Sequence, residues 1–187
     1  MKDKTSAILA KLTSAYNQAD DDFAWDDVDW DTVFVDLQEL AKDKVNTRRL
    51  FDEYIVINEV PKKLFAIILA GQMMNPVEES EEEFAASLIK ELSDISLKEA
   101  REDYLDAIAT SLGCAYMKEA KEALLRLSTH PSKQVRLSAT VSLHSQDEDD
   151  PEVRPRLEEL ATDDDPEVRE WALFALEVEA SGLENEG

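Results

Sequence analysis

Between Asp20 and Asp31 the chain places seven aspartates around Trp25 and Trp30, with no cation among them. Asp27, Asp29 and Asp31 stand at the i, i+2, i+4 spacing with which an oxygen-ligand loop begins to wrap calcium. The loop is not completed. Thr32 occupies the sixth position, where the sharp turn needs glycine, and Gln38 occupies the twelfth, where a bidentate carboxylate closes the site. No metal is therefore expected. One reading of the segment is a solvated acidic loop with its tryptophans turned into the core. The sharper reading is a partner-binding loop formed by Asp22, Trp25, Asp26, Asp27, Asp29, Trp30 and Asp31, because tryptophan beside carboxylates supplies buried area and charge pairing together.

Little else could do chemistry. His130 and His144 are the only histidines, and neither has Cys, His or carboxylate partners at zinc-ligand spacing. Cys114 has no paired histidine and is expected to be a buried structural thiol. The chain carries no phosphate-binding glycine loop, no nucleophile elbow and no His-Glu-x-x-His. Paired carboxylates are too abundant to nominate a general acid and base, so no catalytic residue and no cofactor is assigned.

The composition sets further bounds. The 187 residues carry a formal net charge of −23, and residues 147–187 alone hold sixteen acids against three arginines. A surface so acidic repels a phosphate backbone and attracts a basic protein. The single cysteine, the absence of a signal-peptide core and the shortness of the longest apolar run, Leu64 to Ala70, lead to the expectation of a cytoplasmic chain off the membrane.

Four glycines and six prolines, with abundant Leu, Ala, Glu and Lys, predict helices joined by short loops. Apolar residues at three- and four-residue spacing mark helices over residues 6–19 and 30–41. A third is predicted over 47–57 despite the β-prone run Tyr54-Ile55-Val56-Ile57. Others are predicted over 61–74, with Asn75-Pro76 as the break, then 79–93 and 97–112, where Gly113 is expected as a left-handed cap.

The last third repeats itself. Residues 129–143 align with 162–176 at an offset of 33, pairing Val135 with Val168, Arg136 with Arg169, Ala139 with Ala172 and Leu143 with Leu176. Upstream, Leu124 and Leu127 pair with Leu157 and Leu160. The run Asp165-Pro166-Glu167-Val168-Arg169-Glu170-Trp171-Ala172-Leu173-Phe174-Ala175-Leu176 resembles the opening of the second helix in HEAT repeats of the short bacterial kind. The earlier copy departs from it at Ser132, Lys133 and Ser142.

The resemblance is clear over residues 118–180. It implies an all-α fold, a right-handed α-α superhelix of about five helical hairpins forming one domain over residues 1–180, with residues 181–187 an acidic tail. It implies that Arg136 and Arg169 pair with the acidic turns as a structural ladder. It also predicts that Val168, Trp171, Ala172, Phe174, Ala175 and Leu176 are buried. The implied function is a non-enzymatic adaptor or inhibitor of a basic protein, in its most specific form an immunity protein against a toxin. The alternative is a HEAT-like enzyme or ligand-binding protein of chromophore-lyase type, with a concave small-molecule pocket.

Overall fold

The computed structural model describes residues 2–18, 28, 30–74, 81–115, 118–146 and 150–183. Among them every regular element is a helix. The first is α1 (Lys2–Gln18), which buries Ile8, Leu12 and Ala15 at i, i+4 and i+7. In α2 (Trp30–Ala41) the buried stripe is Val33, Leu37, Leu40 and Ala41. Asp43 then caps α3 (Lys44–Ile55) by accepting a hydrogen bond from the Asn46 amide at 3.2 Å. The β-prone run is helical as far as Ile55. It has no strand to pair with, and the Tyr54 ring packs edge-on against Phe65 at 5.7 Å instead.

Pro61 sits in the first turn of α4 (Val60–Gly71), where its missing N–H leaves no donor unsatisfied. Leu64 to Gly71 are buried without interruption, so α4 is the most enclosed stretch of the front of the core after its half-buried first turn. The break foreseen at Asn75-Pro76 lies outside the described residues. Then come α5 (Glu82–Ser96), α6 (Glu102–Leu112), α7 (Lys118–Leu127), α8 (Lys133–His144), α9 (Val153–Leu160) and α10 (Pro166–Leu183). Expected boundaries move by a few residues. The largest shift is at the start of α6, because Leu97 to Ala100 form a turn held by Glu99, whose carboxylate accepts from the Ala100 and Arg101 amides. α10 continues to Leu183, past the point where the tail was expected to begin.

Four hairpins follow one another: α3 with α4, α5 with α6, α7 with α8, and α9 with α10. Their second helices form a continuous layer, α4 on α6, α6 on α8 and α8 on α10, while α5, α7 and α9 form the layer behind it. This is an α solenoid. Each short hairpin hides its apolar face only by stacking on a neighbour, so a single core runs the length of the array.

Two glycines set how closely the front helices approach. A Cβ at Gly71 would stand 3.0 Å from Ser111 of α6, and one at Gly113 would stand 2.5 Å from the Ser142 hydroxyl of α8. Gly113 has φ −62° and ψ −20°, in the right-handed region, so it is not the left-handed cap expected from sequence. Interhelical space, and not φ, demands glycine there.

Arginines stitch the layers. Arg136 donates two bonds of 2.8 Å to the Asp163 carboxylate and caps the His130 and Pro131 carbonyls. One repeat later Arg169 caps the carbonyls of Asp163 and Asp164. In the rear layer Arg48 reaches Glu91, Arg126 reaches the Ser96 hydroxyl, and Arg156 reaches the Ser128 carbonyl. Both ladder arginines are thus engaged by their own turns, leaving His130 a turn role in which its Nδ1 accepts from the Ser132 amide.

Candidate functional site

A cleft of about 340 Å³ opens on the exposed side of the front layer. Its walls come from four helices: Trp30 and Phe34 of α2, Ile68 and Gln72 at the end of α4, Asp106, Thr110 and Cys114 along α6, and Gln134 and Ser138 of α8. The side chains fall there by helical spacing. Asp106, Thr110 and Cys114 are four residues apart, as are Gln134 and Ser138, so each series forms one stripe. Phe34 lies one turn after Trp30, and their rings stand 5.3 Å apart.

Asp106 is the unusual member. Only 3% of its surface is exposed, yet it lines the cleft and accepts a hydrogen bond from the Ser138 hydroxyl of the neighbouring helix. A carboxylate in so apolar a setting is a strong acceptor, because little water screens it. Cys114 lies at the end of the same stripe and is exposed, not buried as sequence suggested. It falls just after the last turn of α6. Its sulfur still leans on the protein, 4.0 Å from the Thr110 carbonyl, and burial pushes the thiol above its ordinary range. A thiol so shifted is protonated at neutral pH and a poor nucleophile.

The same layer carries a second surface feature. Trp171 and Phe174 of α10 are 41% and 48% exposed, in edge-to-face contact at 5.7 Å, and His144 of α8 packs on Phe174 at 5.6 Å. Glu167 and Glu170 stand beside them. Sequence reasoning had both aromatics buried. The correction follows from helix geometry. Val168, Ala172 and Ala175, at i, i+4 and i+7, make the fully buried stripe, with Leu176 half-buried at its edge. At about 100° per residue Phe174 lies about 120° round from Val168, and Trp171 falls between them. The repeat register itself holds, since Val135, Ala139 and Ser142 of α8 are buried in the matching places. The matching register sets Trp171 and Phe174 on the cleft side of the layer, one helix beyond Ser138.

Of the residues picked from sequence as a partner-binding loop, Asp22, Trp25, Asp26, Asp27 and Asp29 lie outside the described residues. Trp30 is brought to the cleft, whereas Asp31 is exposed in the first turn of α2 and does not line it. Sequence reasoning picked Trp30 but missed Phe34, Asp106 and Ser138. The one available signal was an aspartate at an apolar position, between Leu105 and Ala107 on a helix whose other face is continuous core. Among the described residues no three His, Cys, Asp or Glu side chains are grouped to hold a metal ion, and no helix is long and apolar enough to cross a membrane.

Comparison with known families matches the chain to HEAT repeats over residues 86–177. The match begins in α5 and so takes in the α5–α6 hairpin, which lacks the Asp-Pro-x-Val-Arg signature and did not stand out in the sequence. No curated protein matches the chain.

Proposed function

Residues 86–177 are HEAT repeats, and from that premise we propose that the protein is a non-enzymatic adaptor or inhibitor which docks a basic partner protein on its front layer. HEAT repeats generally mediate contact between proteins. The observation that carries the proposal is the exposed pair Trp171 and Phe174 beside Glu167 and Glu170, on the same layer as the cleft. Large aromatics left half in solvent, next to acids, are the materials of an interface centre for a cationic surface. The net charge of −23 adds long-range attraction, which speeds encounter with a basic protein and weakens as salt rises. In its most specific form the partner is a basic toxin and this chain its immunity protein.

The test is capture of partners on the immobilised protein at low and moderate salt, with identification of what is retained. A basic protein held by the wild type, released by salt and lost by Trp171→Ser/Phe174→Ser supports the proposal. Changing Asp26, Asp27, Asp29 and Asp31 to Asn asks the same of the acidic loop. A partner retained equally by all variants, or a neutral one insensitive to salt, defeats it. A second reading, a HEAT-like ligand-binding protein or enzyme, draws on the cleft of about 340 Å³, at the small end of the ~300–1,000 Å³ range of small-ligand pockets. Saturable binding of a chromophore or nucleotide by the purified protein would favour it.

A further inference from the structure

We propose that Trp171, with Glu167 and Glu170 beside it on α10, is the seat of one lysine or arginine side chain of the partner, held by ring and carboxylate together. The inference rests on the adaptor proposal and names the contact by which the basic partner is held.

The chain builds this contact for itself elsewhere. Lys44 of α3 stands over the Phe84 ring of α5 at 6.0 Å and pairs with Glu81 at 3.0 Å. Arg48 stands over Phe51 at 5.4 Å and pairs with Asp52 at 2.9 Å and with Glu91 of α5 at 2.6 Å. Lys63 of α4 stands over Tyr104 of α6 at 4.5 Å and pairs with Glu99 at 2.7 Å. Arg101 stands over the same ring at 5.2 Å and pairs with Asp103 at 2.6 Å. Each time one cation serves an aromatic ring and an acid at once, the ring drawing it by its quadrupole and the acid by its charge. Lys44, Arg48 and Lys63 reach across from one hairpin to the next to do so.

On α10 the rings and the acids are in place without the cation. Glu167 stands one turn before Trp171, and Glu170 one turn before Phe174. Side chains on a helix lean toward its N-terminus, so each ring lies over the turn that carries its carboxylate. Among the described residues no lysine or arginine stands over either ring. Glu170 makes no ion pair among them, and Glu167 has a loose one, 3.8 Å from a Lys133 that also lies 3.7 Å from Asp165. The adjacent Arg169 is turned away, onto the Asp163 and Asp164 carbonyls.

Two considerations place the cation at Trp171. Phe174 already packs against two rings, those of Trp171 and His144, whereas Trp171 has ring contact with Phe174 alone. Indole also attracts cations best of the aromatic side chains. An aliphatic side chain seated there would strip water from the glutamates and return nothing, while a cation compensates them.

The probes are the blocked peptide Gly-Gly-Arg-Gly-Gly and its counterparts with lysine, citrulline or norleucine at the centre, the last two supplying shape and apolar bulk without charge. The readout is the Trp171 indole N–H in proton–nitrogen correlation spectra of the labelled protein, its resonance identified by its loss in Trp171→Phe. Arginine and lysine peptides are expected to move it saturably at millimolar concentration, and citrulline and norleucine to leave it in place. Glu167→Gln/Glu170→Gln should weaken the binding several-fold. Asp94→Asn/Glu122→Gln, which removes equal charge from exposed positions on α5 and α7, should not. Equal movement by norleucine or citrulline, none by arginine and lysine, or equal weakening in the α5 and α7 variant overturns the proposal. The two proposals fail separately. A basic partner lost by Trp171→Ser/Phe174→Ser but held in full by Glu167→Gln/Glu170→Gln would sink the cation seat and spare the adaptor. The expected peptide binding with no protein partner captured would do the reverse.

Discussion

Arg136 of α8 and Asp163 of the α9–α10 turn are joined by two parallel hydrogen bonds of 2.8 Å, so that the side chain of one repeat closes the turn of the next. Bidentate guanidinium–carboxylate pairs are among the stronger polar contacts in proteins. This one is mostly enclosed, its side chains 16% and 12% exposed.

That pair sets a pH dependence. The hydrogen bonds from Arg136 hold the Asp163 carboxyl below its ordinary range, with the Asp165 amide assisting. A group whose folded pKa is depressed contributes stability above its unfolded pKa, near 3.8, and loses it as pH falls toward the folded value. Asp163→Asn is expected to cost about 1–3 kcal/mol at pH 7, because Arg136 loses its charged partner. The difference from wild type should shrink as pH falls from about 4, where the unfolded carboxyl takes up its proton, toward the depressed folded value, where the wild-type carboxyl also becomes neutral. Urea unfolding of both proteins between pH 7 and 3 checks this. A gap of constant size would mean that the bond's charge contributes nothing.

Gly113→Ala should destabilise by about 1–3 kcal/mol, the usual cost of forcing extra volume into a packed contact. Its φ of −62° suits alanine, so the whole cost arises from the methyl group meeting Ser142. Adding Ser142→Gly to Gly113→Ala should therefore recover part of the loss, beyond what Ser142→Gly does alone. Thermal unfolding of the double-mutant cycle measures that coupling. Strict additivity would refute the steric account.

Tyr104 is buried to 2% and its hydroxyl has no hydrogen-bond partner, while Lys63 lies over the ring at 4.5 Å and Arg101 at 5.2 Å. Burial pushes the phenol up to about 12. Tyr104→Phe removes the orphaned hydroxyl and keeps the ring beneath both cations. A gain of up to about 1 kcal/mol in unfolding free energy is expected. A loss of similar size would show that the hydroxyl is satisfied in solution.

Truncating Trp171 and Phe174 to alanine, singly, should change stability by less than about 1 kcal/mol, as at other half-exposed sites. Val168→Ala, at a position with no exposed surface, should cost about 1–2 kcal/mol by the loss of buried apolar area. Denaturant midpoints of the three variants decide this. Large losses at the aromatics would mean that they hold the repeat together and are not free to meet a partner.

The sequence carried the helices and, in the last two hairpins, their pairing. A helix advertises itself locally, through apolar spacing and caps such as Asp43, and the two copies of the Val-Arg-x-x-Ala register lie 33 residues apart in plain view. The α5–α6 hairpin was less legible. Tyr104, Ile108 and Leu112 keep the buried spacing, but Leu105 stands where a ladder arginine would signal the repeat. Of the cleft, only Trp30 was picked out from sequence as a binding residue. The cleft joins Phe34 of α2 to Asp106 and Ser138 of two later hairpins, and only the packing of the helices brings those positions together. Periodicity erred at Trp171 and Phe174 because a large aromatic on a helix shoulder looks the same in sequence whether it faces core or solvent.

The contacts of Gly71 with Ser111 and of Gly113 with Ser142 all fall at the C-terminal ends of α4, α6 and α8. Three helices pressed together along one edge behave like the ribs of a fan held at the rivet. Sliding at that edge is blocked by serine atoms in van der Waals contact, so the soft deformation of the layer is a spreading of the ribs away from it. Gln134, at the first turn of α8, lies toward the free edge, while Cys114 sits at the rivet. Bending the array would thus widen the cleft from the Gln134 side while leaving its Cys114 end fixed, and a bulky visitor would be admitted by elasticity of the whole layer without unfolding any helix.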